Sequence, residues 1–274
     1  VTEHDSVLGV AMGDQRQIGT FVALGDSFTE GLNDPDPAAG PDRFRGWADR
    51  LAEQLAEYDP GLRYANLAIR GKLLHQIVED QVPQAIDLRP DLVTFCGGGN
   101  DMIRPGADPD ALAVEFDSAV RRLRATGARV LIFTGFDPRG LRSGGRIRGK
   151  AAIYNMHLRA IADRRDCAVV DLWPMMGVFN DPRAWYEDRL HLSPEGHRRM
   201  ALRVAEALDL PVSGDWREPW PAVETAADWL TLRREDIHWA RTYLLPWIGR
   251  RATGRSTGDG RGPKRPTPSP LQKA

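Results

Sequence analysis

The chain has 274 residues, 42% of them apolar, enough to bury the core of a globular domain. Its 37 basic and 38 acidic residues leave a formal charge of −1, which excludes a charge-driven affinity of the whole molecule for nucleic acid. Two cysteines exclude a disulfide framework, and no stretch reaches the ~18 consecutive apolar residues of a membrane span.

Residues 1–17 carry acids where a signal peptide would be positively charged, so they read as a loosely held arm and the expected location is cytoplasmic. The apolar run Phe21-Val22-Ala23-Leu24 predicts a buried first strand over 20–25, closed by Gly25-Asp26-Ser27. A Pro-, Gly- and Asp-rich loop over 33–43 precedes a helix over 44–58, where Trp47, Leu51 and Leu55 recur every four residues. A second strand over 62–69 ends at Arg70-Gly71, and a helix over 73–86 is complicated near its end by Pro83. The third strand, 91–96, breaks into Gly97-Gly98-Gly99-Asn100-Asp101. A helix over 109–125 stops at Gly127, and a fourth strand covers 129–134. A helix over 150–165, a fifth strand over 168–172, a loop holding Asp188 and His191, and a helix opened by Ser193-Pro194 and running to about Leu208 complete the pattern.

Strands alternating with helices predict a parallel sheet covered on both faces, and right-handed crossovers put every strand's carboxyl end at one edge. Ser27, Gly71, Asn100, the 135–149 loop and the 188–191 loop all leave from that edge, where open α/β sheets bind ligands. A serine hydroxyl becomes a nucleophile once a base accepts its proton. His191 is the natural base, because imidazole titrates near neutrality, and Asp188, three residues earlier, can hold its tautomer. The backbone N–H groups of Ser27 and Gly71 and the Asn100 amide are candidate oxyanion donors, each worth about 3–4 kcal/mol at a transition state.

The blocks Gly25-Asp26-Ser27-Phe28, Gly71, Gly98-Gly99-Asn100-Asp101 and Asp188-Arg189-Leu190-His191 resemble, in order, the four signature blocks of the SGNH (GDSL-type) hydrolase superfamily. The resemblance spans about residues 20–208 and implies a flavodoxin-like three-layer α/β/α fold on a five-stranded parallel sheet. It implies Ser27 as nucleophile, His191 as base, Asp188 as its orienter, an oxyanion hole of Ser27, Gly71 and Asn100, and neither metal nor cofactor. The superfamily includes esterases, thioesterases, lysophospholipases, deacetylases and acyltransferases, so the fold does not choose the substrate. The expected activity is hydrolysis of a small-molecule acyl ester through an acyl-enzyme. An acyltransferase using the same site and a silent binding module are the alternatives.

Several features compete with this reading or extend it. The loop Asp137–Lys150 holds five basic residues against one acid, and Arg142 and Arg146 are candidate contacts to an anionic part of the substrate. Cys96 reads as a small buried residue near the site and His197 as a helix-surface residue. Gly254-Arg-Ser-Thr-Gly258 matches the G-x-S-x-G elbow of α/β-hydrolases, but it lacks the flanking strand and helix and any later histidine, so it is a chance match. The expected organisation is an arm (1–17), a hydrolase domain (18–210), a Trp-rich helical extension (211–249) and a basic disordered tail (250–274). The extension, with helices over 222–232 and 235–245, is expected to pack on the core, with a cover over the crevice, a homodimer face or, less favoured, an amphipathic membrane anchor as alternatives. The tail is expected to be solvated, with no specific nucleic-acid partner.

Overall fold

In the computed structural model, residues 18–36, 40, 43–140, 145–211, 213–222 and 229–271 are described. The arm 1–17 and Arg142 therefore lie outside the described residues, as does the side chain of Arg146.

Strands β1 (Thr20–Leu24), β2 (Arg63–Asn66), β3 (Leu92–Phe95), β4 (Arg129–Phe133) and β5 (Ala168–Val170) pair in parallel. Their order is β5-β4-β3-β1-β2, the flavodoxin-like arrangement, in which the strand order reverses between β1 and β3 while every strand stays parallel. Phe21 to Leu24 are fully buried because a central parallel strand is covered on both faces. Helices α2 (Gly46–Tyr58) and α8 (Pro194–Ala207) pack together over one face, whose core includes Trp47, Leu51, Phe133 and Met200. Helices α3 (Leu74–Asp87), α5 (Pro109–Arg124) and α6 (Gly145–Arg165) cover the other, around Leu24, Phe95, Phe116 and Ile132. Two short helices, α1 (Ser27–Glu30) and α4 (Gly99–Met102), sit at the carboxyl ends of β1 and β3, and α7 (Met176–Phe179) lies in the loop after β5.

Local signals explain the helix limits. The Asp108 carboxylate accepts the N–H groups of Asp110 and Ala111, with Pro109 at the first helical position of α5. Ser193 does the same for Gly196 at the start of α8. Pro83 does not end α3, which runs on to Asp87. The carbonyl it strips of a donor is at exposed Glu79, and the helix still buries Gln81, Val82 and Ala85.

Three expectations are corrected. The sheet has six strands among the described residues, because β6 (Arg265–Pro270) adds antiparallel to β2 inside the segment expected to be a disordered tail. Main-chain pairing replaces apolar burial there. The Lys264 ammonium donates to the carbonyls of Glu30 (2.6 Å), Phe44 (2.8 Å) and Arg45 (2.8 Å) and to Asp49 Oδ2 (2.5 Å). Three prolines are tolerated because the strand is at the sheet's edge, where it also covers β2. His197 is not on the surface: it is 1% exposed, its Nδ1 accepts the Trp47 N–H (3.2 Å) and its Nε2 faces the Leu32 carbonyl (3.1 Å). The extension's helices are α9 (Trp229–Trp239) and α10 (Leu245–Ala252), joined through a π-helical turn at Ala240–Leu244. Trp216 and Trp220 lie on α8, stacked against the guanidinium groups of Arg217 (4.2 Å) and Arg199 (4.1 Å).

Candidate active site

The carboxyl ends of β1 and β3 flank the switch point, and the loops leaving them carry two of the motif blocks. Ser27 opens α1, so its N–H has no acceptor within that helix. Gly25 is held in place by Gln81, whose amide exchanges hydrogen bonds of 2.9 Å with both its N–H and its carbonyl. A side chain at Gly25 would collide with Thr29 and the Cys96 carbonyl, so the strand-to-helix turn needs glycine for close approach.

Ser27, His191 and Asp188 meet although 164 residues separate the first two. Ser27 Oγ lies 3.0 Å from His191 Nε2, and His191 Nδ1 lies 2.7 Å from Asp188 Oδ2. Burial pushes the Asp188 carboxyl up, but the hydrogen bond and charge of His191 and the N–H groups of His191 and Leu190 bring it below the usual carboxylate value. An ionised carboxylate only accepts, so Nδ1 carries the proton and Nε2 is left to accept from the Ser27 hydroxyl. Asn33, in the left-handed region at φ 69°, donates to the same Asp188 oxygen at 2.7 Å.

Gly71 stands in a turn at φ 76°, a conformation that favours glycine. Through Glu30 the turn is tied to the helix that Ser27 opens: the Glu30 carboxylate accepts the Arg70 N–H (2.7 Å) and pairs with the Arg70 guanidinium. That guanidinium also lies 5.2 Å over the Phe44 ring. Asn100 Nδ2 donates to Asp26 Oδ2 and to the Lys72 carbonyl, both at 3.1 Å. Its amide thus faces the loop that carries Ser27. Burial raises the Asp26 carboxyl to about 6, against the N–H of Phe28 and the charge of His191, which lower it.

A crevice of about 240 Å³ opens beside Ser27, Asn100 and His191, walled by Phe133, Phe136, Ile147, Tyr154 and Trp185. Phe136 and Trp185 lie 5.1 Å apart, centroid to centroid, and both pack on Phe179. The 135–149 loop lends this crevice Phe136, Pro138 and Ile147. Two of its cations, Arg139 and Arg148, are instead paired with buried Asp137. Cys96 also borders the crevice, and burial raises its thiol well above the ordinary value, which disfavours a thiolate nucleophile.

Asn33, Gln81, Glu30 and Arg70 were not anticipated as supports of the site. Two carry a faint signal: Gln81 is a polar residue on the apolar face that α3 buries, and Arg70 directly precedes the Gly71 turn.

The GDSL-like lipase/acylhydrolase family profile matches residues 23–199. Esterase TesA of Pseudomonas aeruginosa is 28% identical over 148 residues, covering 52% of this chain and 70% of that protein. A crystal structure of TesA superposes with a TM-score of 0.57 at 25% identity, over 69% of this chain and 97% of that one. LAE5, an α/β-hydrolase enzyme from the metagenome of Lake Arreo, shares the fold at a TM-score of 0.59 and 23% identity, over 71% and 96% of the two chains. The acetyl xylan esterase AlAXEase does so at 0.57 and 20%, over 69% and 99%. With a profile that spans well over half its length and takes in the serine, glycine, asparagine and histidine blocks, this chain belongs to the GDSL-like lipase/acylhydrolase family.

Proposed function

We propose that this protein is a serine ester hydrolase that takes an apolar acyl group through an acyl-enzyme at Ser27. The observation that carries the reading is the continuous hydrogen-bonded line from Ser27 Oγ through His191 to Asp188, set beside an apolar crevice. Ser27 Oγ attacks the ester carbonyl while His191 Nε2 takes its proton, and Asp188 stabilises the imidazolium that forms. The oxyanion is received by the N–H groups of Ser27 and Gly71 and by the Asn100 amide. Collapse of the tetrahedral intermediate expels the alcohol, protonated by His191. A water activated by the same imidazole then releases the acid and restores the serine.

The crevice suggests the acyl group. An apolar cavity of about 150 Å³ holds benzene, so about 240 Å³ walled by aromatic rings suits an acyl chain of about six to eight carbons. The test is a series of p-nitrophenyl esters from acetate to palmitate, with fluorophosphonate labelling followed by peptide mapping. The expected results are a maximum of kcat/KM at intermediate length and a label on Ser27 that is absent in Ser27→Ala. A folded protein that takes no label and cleaves no member of the series would refute the reading.

A further inference from the structure

Residues beyond 199, where the family match ends, touch the proposed machinery from two sides. On the acid–base side, α9 and the π-helical turn after it lie against residues 187–189. The Trp239 indole N–H donates to the Asp188 carbonyl at 2.9 Å, and the Tyr243 hydroxyl to Glu187 Oε2 at 3.1 Å. Arg189 pairs with Asp236 at 2.6 Å, its guanidinium lying 5.1 Å over the Trp239 ring. Trp239 and Tyr243 are four residues apart and so reach the same loop from one helical side.

On the oxyanion side, the chain after α10 turns over Arg70-Gly71. The Ser256 hydroxyl donates to the Arg70 carbonyl (3.3 Å) and accepts the Gly258 N–H (3.1 Å), while Asp259 accepts the Ser256 N–H (2.8 Å). Gly258 is buried, and a methyl added there would overlap the Arg70 carbonyl oxygen. A methyl at Gly71 would in turn overlap the Ser256 hydroxyl. Gly258 has no left-handed φ, so only the closeness of the Gly71 turn forbids a side chain. Past this contact, Lys264 and β6 fasten the segment to α2 and β2.

We infer that the segment from α9 to β6 is a clamp that positions the two halves of the active site relative to each other, with Trp239 holding the Asp188 loop and Gly258 seating the Gly71 turn. Neither residue lines the crevice. Both act through the groups they hold, and the inference rests on the ester-hydrolase reading given above. Small displacements are costly in such a site, since a misplacement of about 1 Å can lower turnover by about 100-fold.

The experiment compares Trp239→Phe, which keeps a ring but loses the N–H, and Gly258→Ala with a control in the same segment. That control is Gly262→Ala, where an added methyl meets nothing. Each full-length variant is assayed for kcat and KM on the best ester of the series. Each is also followed by amide hydrogen exchange over residues 69–72 and 187–191. The expected result is a fall in kcat of about tenfold to 100-fold for Trp239→Phe and Gly258→Ala at unchanged KM. Exchange should speed up over 187–191 in the first and over 69–72 in the second, with Gly262→Ala behaving as wild type. Wild-type kcat in both folded variants, or an equal loss in Gly262→Ala, would overturn the clamp. Should Gly258→Ala not fold, a wild-type kcat in Trp239→Phe alone overturns it. An inactive, unlabelled wild-type protein would instead refute the ester-hydrolase reading, and unchanged exchange in both variants would then refute the clamp independently.

Discussion

At the residue scale, the meeting of Ser27, His191, Asp188 and Asn100 at one crevice was legible because each lies in a short block that the topology sends to the same sheet edge. Their supports were not, because Asn33 meets Asp188 across 155 residues and Trp239 meets it across 51. His197 could have been read correctly from helical phase, since with Met200, Ala201 and Val204 it falls on the face that α8 buries. Asn100 offers a direct test. Asn100→Ala should lower kcat by about 10²–10³ with KM little changed, because an oxyanion donor acts at the transition state. A rise in KM alone in steady-state kinetics would reassign the residue to ground-state binding. His197 offers a second test, on stability. Burial lowers its imidazole from 6.5 to about 4, so the unfolded chain binds a proton that the folded one refuses. That contribution is complete above pH 6.5 and is lost as pH falls toward 4. Two carboxyls, buried Asp26 and partly buried Asp49, are raised by desolvation to about 6 and work in the opposite sense, favouring the fold as pH falls. A difference between proteins isolates the histidine. The stability advantage of the wild type over His197→Gln should shrink by about 3 kcal/mol between pH 7 and pH 4 in urea titrations.

At the element scale, the five parallel strands and the helices covering them followed from apolar runs and periodicity, because a doubly covered sheet demands both. The start of α6 at Gly145, ahead of the expected 150, and the sixth strand did not follow. Gly, Arg and Pro carry little apolar signal, and an edge strand in β6 depends on a partner some 200 positions earlier. Lys264 is the test of that strand. Its ammonium holds three carbonyls and Asp49, whose carboxyl burial already raises to about 6 despite the lysine's charge. Removing the ammonium leaves a partly buried carboxyl and three carbonyls without that donor, so Lys264→Ala should cost about 1–3 kcal/mol of stability. Amide exchange along β2 should accelerate more than along β4, which is not paired with β6. Equal acceleration in both strands would mean that the lysine supports the whole fold and not this edge.

At the scale of the whole molecule, the topology is what gathers the site. Strand order 2-1-3-4-5 brings the loops after β1 and β3 side by side, and the later segments close around them. The segments around Ser27, Asn100, Phe136, Tyr154 and His191 thus line one crevice. The closing pieces come last in the chain: Arg63 on β2 bonds Pro268, 205 positions away. During synthesis at 5–20 residues per second, β2 is complete roughly 10–40 s before the strand that covers it exists. Over that interval the nascent protein carries an open hydrogen-bonding edge, a template for strand exchange with neighbouring chains on the same message. Translation slowed over the last third of the chain should therefore raise the yield of aggregate, measurable as insoluble product at matched synthesis levels. The three prolines of the final strand confine that hazard to the growing chain, since once seated they present an outer edge with few donors left to offer.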